Sequence, residues 1–474
     1  MRRGSSRWTR ILCAAAVLGG ALLGPPGSAS ARPLAAVTPP APDLSALGEA
    51  KALSGKPAPL VTTEQHQICA EPSLNGSAPR DEPLGQRVLD LPAAWQFSRG
   101  AGQKVAVIDT GVNRHPRLPL LQTGGDYVSD TDGTVDCDGH GTLVAGIIAA
   151  RPSSDDAFVG VAPEAEILSI RQFSEAYKAK DQNSGDASGN LSKSGYGNMT
   201  TLAAAVVRAV DMGATVINIS EDACSTGSSD PVDGALGAAV RYAYEANVVV
   251  VVAAGNVDTS NGCDQNDDAG WSKVKTVASP AWFSKYVLSV ASVDPKSGSP
   301  SSFSLYGPWV GVAAVGSETV SLDSKPGGTG LVNRQLGSQG MQTINGTSFA
   351  APYVAGLAAL VRAKYPEMTA QQVMDRITRT AHAPGPGRDD RIGHGMIDPL
   401  AALTAELPAT PVSDGADRGV AFPAPEKPVG PARLPRLVAA IGSIVCLAAL
   451  GIGLAVSIPF RRARRDDELP DLDS

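Results

Sequence analysis

The stretch VVVVVAAGN (residues 248–256) places five consecutive valines before a small-residue turn. Valine is branched at its β-carbon and favours strands, and this run does not alternate apolar with polar residues. A strand of this kind is buried on both faces, as in the parallel sheet of an α/β protein. The stretch therefore predicts a central, mainly parallel sheet.

Segments of strand and helix type alternate on both sides of this stretch. The strand-type segments are KVAVIDTG (104–111), AEILSIRQF (165–173) and ATVINIS (214–220). The helix-type segments are GHGTLVAGIIAA (139–150), TTLAAAVVRAVDMG (200–213), GALGAAVRYAYEAN (234–247) and INGTSFAAPYVAGLAALV (344–361). This alternation predicts an α/β fold in which right-handed crossovers bring the carboxyl ends of the strands to one edge of the sheet.

Three polar residues stand where such a fold places its site. Asp109 closes a strand, His140 opens a helix, and Ser348 lies at the start of another helix, where we expect Pro352 in the first turn. Each residue has an ordinary alternative role, as a solvated carboxylate, a buried histidine or a helix cap. Together they supply an orienting acid (Asp109), a base (His140) and a nucleophile (Ser348), in that order along the chain.

Four motif blocks in this order resemble those of the subtilisin-like serine proteases: VIDTGV (107–112), DGHGTLVAGI (138–147), VVAAGN (251–256) and NGTSFAAPYVAGLAAL (345–360). The resemblance implies a subtilisin-like three-layer fold over residues 88–404. It also implies that Asp109 orients the base His140, that Ser348 is the nucleophile, and that the Asn256 amide faces the developing oxyanion. A lipase or esterase with the same triad is the weaker alternative, because a Gly-x-Ser-x-Gly elbow is absent.

The substrate-binding segment departs from that family. Subtilases commonly carry Leu-Gly-Gly where this chain has Glu221 and Asp222 after Ser220. We expect Ser220, Glu221 and Asp222, with Ala254 and Gly255, to contact substrate. Two carboxylates in place of apolar and glycine residues change the charge of the pocket, so broad subtilisin-like specificity is not expected.

Both ends of the chain carry membrane signals. Residues 1–31 predict a signal peptide, with arginines at its start, an apolar run over 11–23 and an Ala29-Ser30-Ala31 cleavage site.

Residues 437–460 contain no charged residue and can cross about 30 Å of hydrocarbon. An Arg-rich cluster follows, which favours a cytoplasmic tail over 461–474 and a catalytic domain outside the cytoplasm. The Pro-rich stretch 405–436 predicts an extended linker.

Charge excludes one class of partner. The chain has a net charge of −7 and carries no basic stripe, so we expect no nucleic-acid partner. We also expect no cofactor and no metal, since His-rich and Cys-x-x-Cys clusters are absent. The acidic loop 264–268 could hold calcium, although a solvated surface is the simpler interpretation.

Four cysteines lie between the two membrane signals, and four allow three pairings. If the strands before Cys224 and Cys263 are neighbours, those two pair, which leaves Cys69 for Cys137. Free thiols are the alternative, but export to an oxidising compartment favours disulfides.

The whole arrangement resembles the mycosins, the membrane-anchored subtilases of actinobacterial type VII secretion systems. DCDGHGTLVAGIIAARP (136–152) and GATVINISEDAC (213–224) carry this resemblance. It implies that residues 32–87 form an extension that wraps the catalytic domain, that the substrates are exported proteins, and that the partners are subunits of the secretion membrane complex. The alternative function is a mainly structural one, in which the protein stabilises that complex and proteolysis is secondary.

Overall fold

The computed structural model of the protein describes residues 37–181, 195–225, 233–268, 270–337, 340–408 and 433–466. The predicted signal peptide and most of the predicted linker lie outside these residues. The chain separates into two units, Met1–Glu406 and Leu407–Ser474.

The strands of the first unit are short, with two to six residues each. In chain order they are β1 (Thr63–Gln65), β2 (Lys104–Asp109), β3 (Leu121–Asp126), β4 (Glu166–Arg171), β5 (Tyr177–Ala179), β6 (Val216–Ile219), β7 (Ala223–Ser225), β8 (Val249–Ala253), β9 (Val277–Ser279), β10 (Leu288–Val293), β11 (Val310–Val315), β12 (Ser321–Leu322), β13 (Leu331–Val332), β14 (Arg334–Gly337) and β15 (Gly340–Thr343).

One seven-stranded sheet forms the centre of this unit, in the order β11-β10-β8-β6-β2-β4-β3. Every neighbouring pair in it is parallel, which confirms the predicted parallel sheet. The remaining described strands form four antiparallel pairs: β1-β5, β7-β9, β12-β13 and β14-β15.

The helices connect and cover this sheet. In the first unit they are α1 (Leu47–Ser54), α2 (Leu84–Arg87), α3 (Leu91–Ala94), α4 (His140–Ala149), α5 (Met199–Asp211), α6 (Asp233–Glu245), α7 (Thr347–Lys364), α8 (Ala370–Thr380) and α9 (Pro399–Thr404). Short 3₁₀ segments lie at Leu44–Ala46, Thr259–Asn261 and Trp271–Lys273.

Two hydrophobic cores lie on opposite faces of the sheet, because side chains alternate along each strand. In β2, Val105 and Val107 belong to the core formed with α4 and α7. Ala106 and Ile108 belong to the other core, which includes α5 and α6. Helices therefore cover both faces, which gives the predicted three-layer α/β architecture and explains why the valine run lacks polar alternation.

The sheet order positions the site. β6 lies between β2 and β8, with Ile219 paired to Ile108 on one side and to Val252 on the other. The carboxyl ends of these three strands are thus adjacent. α7 packs against β6, β8, β10 and β11, so its first turn lies next to the same edge.

The start of α7 differs from the sequence prediction. The helix begins at Thr347, and Pro352 lies inside it, in the second turn rather than the first. The prediction was wrong because the helix starts directly after Gly346, five residues before the proline. At its observed position the proline removes the helical hydrogen bond to the carbonyl of Ser348.

The N-terminal extension is part of the first unit. α1 packs against α5 and α6, with Leu47 and Ala50 buried. β1 pairs with β5, and Ser73 forms an antiparallel bridge with Arg334. The extension is therefore held by side-chain packing and by backbone hydrogen bonds along its length.

The second unit contains α10 (Arg433–Asp466), which includes residues 437–460. The structure describes the side chains of residues 440–456 within this helix. Over the described residues, no helix is both long enough and apolar enough to cross a membrane.

Candidate active site

Asp109, His140 and Ser348 form one hydrogen-bonded chain. Asp109 is the last residue of β2, His140 is the first of α4, and Ser348 is the second of α7. The distance from His140 Nδ1 to Asp109 Oδ1 is 2.7 Å, and the distance from His140 Nε2 to Ser348 Oγ is 3.0 Å. An imidazole held in this way by a carboxylate can accept the serine proton from its other nitrogen.

Local packing fixes both ends of this chain. Asp109 is fully buried, and its Oδ1 also accepts a hydrogen bond from the Thr110 N–H at 2.7 Å. The ring of His140 packs against that of Phe349, with the centroids 4.9 Å apart. A Cβ atom at Gly346 would lie 2.8 Å from Ser348 Oγ, so glycine at this position leaves room for the hydroxyl.

Asp136 organises the helix that carries His140, a role that the sequence prediction missed. One carboxylate oxygen accepts from the Gly139 N–H and the Thr110 hydroxyl, and the other accepts from the N–H and the hydroxyl of Thr142. Burial raises the pKa of Asp136 to about 7. The signal was available, because Asp136 stands four residues before His140 at the entrance to a helix without another capping side chain.

Asn256 lies beside the nucleophile with its amide oriented. Its Oδ1 accepts from the N–H and the hydroxyl of Thr347, at 3.0 Å and 3.2 Å. Gly255, with φ +108°, turns the chain at this point, a conformation that residues with a side chain rarely adopt. Because Oδ1 is occupied, the NH₂ group of Asn256 is the part of the amide left to donate into the cleft that this residue lines.

The backbone N–H of Ser348 is a second donor at this place. Ser348 lies in the first turn of α7, where N–H groups have no acceptor within the helix. A helix N-terminus also favours a negative charge in front of it. The arrangement can therefore stabilise an oxyanion formed beside Ser348 Oγ.

These residues open into a cleft of about 750 Å³. One wall comes from the N-terminal extension at 67–71, and another comes from the β14–β15 hairpin, where Leu336 is 70% exposed. Five carboxylates line the cleft: Glu71, Asp138, Glu175, Glu221 and Asp222. The cleft is therefore acidic.

The substrate-binding residues predicted from the sequence fall into two groups. Ser220, Glu221 and Asp222 line the cleft, whereas Ala254 and Gly255 do not. The Ala254 N–H donates to Val290, its carbonyl accepts from the Trp309 indole, and the Gly255 carbonyl accepts from Leu305. The backbone groups of Ala254 and Gly255 are thus engaged inside the protein, so the structure offers no support for their predicted contact with substrate.

Glu221 adds a second carboxylate beside the base. Its Oε1 lies 3.9 Å from His140 Nδ1. Burial alone would lower the pKa of His140, but the charge of Asp109, the hydrogen bond to it and the charge of Glu221 together raise it to about 9. Burial and the charge of Asp109 raise the pKa of Glu221, and burial raises that of Asp222 to about 7.

Two disulfides lie near this cleft. Cys69 is bonded to Cys137, and Cys224 is bonded to Cys263. The first ties the N-terminal extension to the loop three residues before His140. The second links β7 to the segment after β8, in agreement with β6 and β8 being neighbours in the sheet.

Two clusters of possible metal ligands occur among the described residues. One contains Asp222, Cys224 and Cys263, and the disulfide between its cysteines leaves no thiolate to bind a metal. The ligand atoms of Asp109, His140 and Glu221 lie within 4.8 Å of one another. A metal there would replace the hydrogen bond between His140 and Asp109 that a triad requires. In the acidic loop 264–268, Asp267 pairs with Lys275 and Asp268 pairs with Arg391, each at 3.1 Å. Each of these two carboxylates therefore already has a protein cation as its partner.

Comparison with known proteins agrees with this geometry. Residues 100–395 match the family model of the Subtilase family. Mycosin-4 of Mycobacterium tuberculosis is 45% identical over 89% of this chain and 91% of its own. The crystal structure of MycP1 from Mycobacterium smegmatis superposes with a TM-score of 0.72, at 42% identity, over 79% of this chain and 97% of that one. A chain of the intact ESX-5 inner membrane complex superposes with a TM-score of 0.73, at 39% identity, over 89% of this chain and all of that one.

Proposed function

This chain belongs to the subtilase family of serine endopeptidases and, within it, to the mycosins. We propose that it hydrolyses peptide bonds of exported proteins in connection with type VII secretion. The observation that carries the catalytic part is the continuous hydrogen-bonded chain from Asp109 through His140 to Ser348. A serine that only caps a helix needs no histidine beside it, and a buried histidine needs no carboxylate on one nitrogen and a serine hydroxyl on the other.

In the proposed mechanism, Ser348 Oγ attacks the scissile carbonyl while His140 Nε2 takes the serine proton. Asp109 holds the Nδ1 proton and stabilises the imidazolium. The Asn256 amide and the Ser348 N–H donate to the oxyanion. His140 then returns its proton to the leaving amine, and water activated by the same nitrogen releases the acyl group.

Active-site labelling tests this assignment. A fluorophosphonate should label the ectodomain, and Ser348→Ala should abolish the labelling while leaving the melting temperature nearly unchanged. Ser289→Ala, which removes another buried hydroxyl, is the matched control and should label like the wild type. Equal labelling of the wild type and Ser348→Ala would refute the nucleophile.

We propose that the acidic cleft receives substrates with a basic side chain near the scissile bond. Glu221 and Asp222 follow β6 and line the cleft, and Glu71, Asp138 and Glu175 line the same space. A substrate cation would offset the mutual repulsion of these carboxylates and would be steered toward them before contact.

The proposed location is the cell membrane, with the catalytic domain outside the cytoplasm. Residues 1–31 supply the export signal, 437–460 the single membrane-crossing segment, 461–474 the cytoplasmic tail and 405–436 the linker. The similarity to a chain of the ESX-5 inner membrane complex supports contact with subunits of such a complex.

That similarity also favours a second function, in which the protein stabilises the secretion complex and proteolysis is secondary. Secretion by cells that carry Ser348→Ala, compared with cells that lack the whole chain, separates the two functions. If scaffolding is the essential role, only the deletion stops export. If both stop export equally, proteolysis is the essential role.

We further propose that residues 32–87 remain attached to the peptidase domain 88–404 as a permanent arm. The Cys69–Cys137 disulfide would retain the arm after a cut between these cysteines. Non-reducing peptide mapping of membrane-purified protein should give crosslinked Cys69–Cys137 and Cys224–Cys263 peptides and an N-terminus near Arg32. A mature N-terminus beyond Cys69 would show that the segment is a removable pro-segment.

A further inference from the structure

The carbonyl of Ser348 lacks the donor that a regular helix would give it. In α7 that donor would be the N–H of residue 352, four positions along the chain. Residue 352 is proline and has no N–H. A buried carbonyl without a donor destabilises the folded protein, so this carbonyl needs another hydrogen-bond donor.

Ser220 supplies that partner. Its hydroxyl donates to the Ser348 carbonyl oxygen at 2.9 Å, and it accepts from the Asn218 amide, also at 2.9 Å. Asn218 is fully buried in β6, and Ser220 is 3% exposed just after the end of that strand. The hydroxyl of Ser220 is therefore committed to the protein interior, although the residue also borders the cleft.

We infer that Ser220 is a positioning residue for the nucleophile: a hydrogen-bond relay from Asn218 through Ser220 replaces the helical bond that Pro352 deletes and fixes the peptide unit of Ser348. The same residue carries the attacking Oγ and the N–H proposed for the oxyanion. A rotation of its backbone would displace both groups at once.

The relay matters for catalysis because the hydroxyl and the N–H of Ser348 must both keep their positions. Ser348 Oγ must stay within hydrogen-bond distance of His140 Nε2, at the observed 3.0 Å, while its N–H faces the developing charge. A misplacement of about 1 Å in a catalytic group can cost on the order of 100-fold in rate. Loss of the Ser220 hydroxyl should therefore lower kcat more than it affects substrate binding.

The experiment compares Ser220→Ala with Ser220→Ala/Pro352→Ala. The single variant should lose roughly 10- to 100-fold in kcat with KM changed less than about threefold. In the double variant, the new N–H of residue 352 can donate to the Ser348 carbonyl and should restore most of the lost kcat. Ser220→Thr keeps a hydroxyl and should stay close to the wild type. Ser289→Ala, a buried serine at the opposite end of the sheet strands, is the control for removing a hydroxyl.

A kcat in Ser220→Ala equal to that of the wild type would overturn this inference, and so would a loss of kcat that Pro352→Ala does not restore. If Ser220→Ala does not fold, Ser220→Cys, whose thiol is a weak donor, takes its place with the same expected ordering. The inference rests on the proposed nucleophile, and the rate of fluorophosphonate labelling distinguishes the two. Labelling that survives Ser348→Ala refutes the nucleophile, whereas Ser348-dependent labelling at an unchanged rate in Ser220→Ala refutes only the positioning role.

Discussion

Glu221 Oε1 lies 3.9 Å from His140 Nδ1, the same nitrogen that Asp109 binds at 2.7 Å. The base of the proposed triad thus faces two carboxylates instead of one. Each negative charge stabilises the imidazolium, and the pKa of His140 is raised to about 9.

The first prediction concerns the pH dependence of this base. Peptide hydrolysis requires neutral His140, so kcat/KM should rise with pH until the histidine has lost its proton. Glu221→Gln removes a charge that favours the imidazolium, so the pKa of His140 should fall and the rising limb should move to lower pH by roughly one unit. Glu71→Gln, in the same cleft, is the control and should leave the limb in place. A limb that stays fixed in Glu221→Gln would show that this carboxylate does not act on the base.

The second prediction concerns the oxyanion. Asn256→Ala should lower kcat by about 100- to 1,000-fold, because an amide whose Oδ1 is anchored on Thr347 donates to charge that exists only in the transition state. KM should change little, as measured from initial rates over a range of concentrations of a peptide substrate. Asn256→Asp is the companion variant: it keeps the acceptor for Thr347 but removes the NH₂ donor, so it should be at least as impaired. A near-normal kcat in either variant would mean that other donors stabilise the oxyanion.

The third prediction concerns substrate charge. In paired peptides that differ only by Lys or Glu beside the scissile bond, kcat/KM should favour the Lys peptide. The preference should be largest at low salt and near pH 9, where Asp222, with a pKa of about 7, is ionised. Glu221→Gln/Asp222→Asn should reduce the preference. A double variant that keeps the full preference would locate the selection elsewhere in the cleft.

The fourth prediction concerns the disulfides. Replacing Cys69 and Cys137 by alanine should lower the free energy of unfolding by about 2–4 kcal/mol, because the unfolded chain regains the freedom of a long loop. The Cys224–Cys263 pair is the matched comparison. Its cysteines are 39 residues apart instead of 68, so its removal should cost about 0.5 kcal/mol less on entropic grounds. Denaturant titration of the two variants measures this difference. An unchanged stability without Cys69–Cys137 would mean that packing alone holds the N-terminal extension.

Sequence alone determined the layered α/β fold and the position of the candidate catalytic residues at the ends of strands and the starts of helices. A run of β-branched valines without polar alternation favours a strand covered on both faces, and local sequence is enough to recognise it. Asp109, His140 and Ser348 could be selected in advance because each occupies the end of a strand or the start of a helix, which local pattern also reveals. Asn256 was selected through the resemblance of its motif to that of the subtilases.

Tertiary structure decided which groups meet at these ends. Ala254 and Gly255 stand next to Asn256 in sequence, but hydrogen bonds from Trp309 and Leu305, more than 45 residues away, turn their backbone inward. The contact between Ser220 and the Ser348 carbonyl, 128 residues apart, exists because β6 lies beside the first turn of α7 and because Pro352 leaves that carbonyl without a helical donor. Neighbouring residues set backbone conformation, whereas the order of strands in the sheet sets these distances, and no local pattern encodes that order.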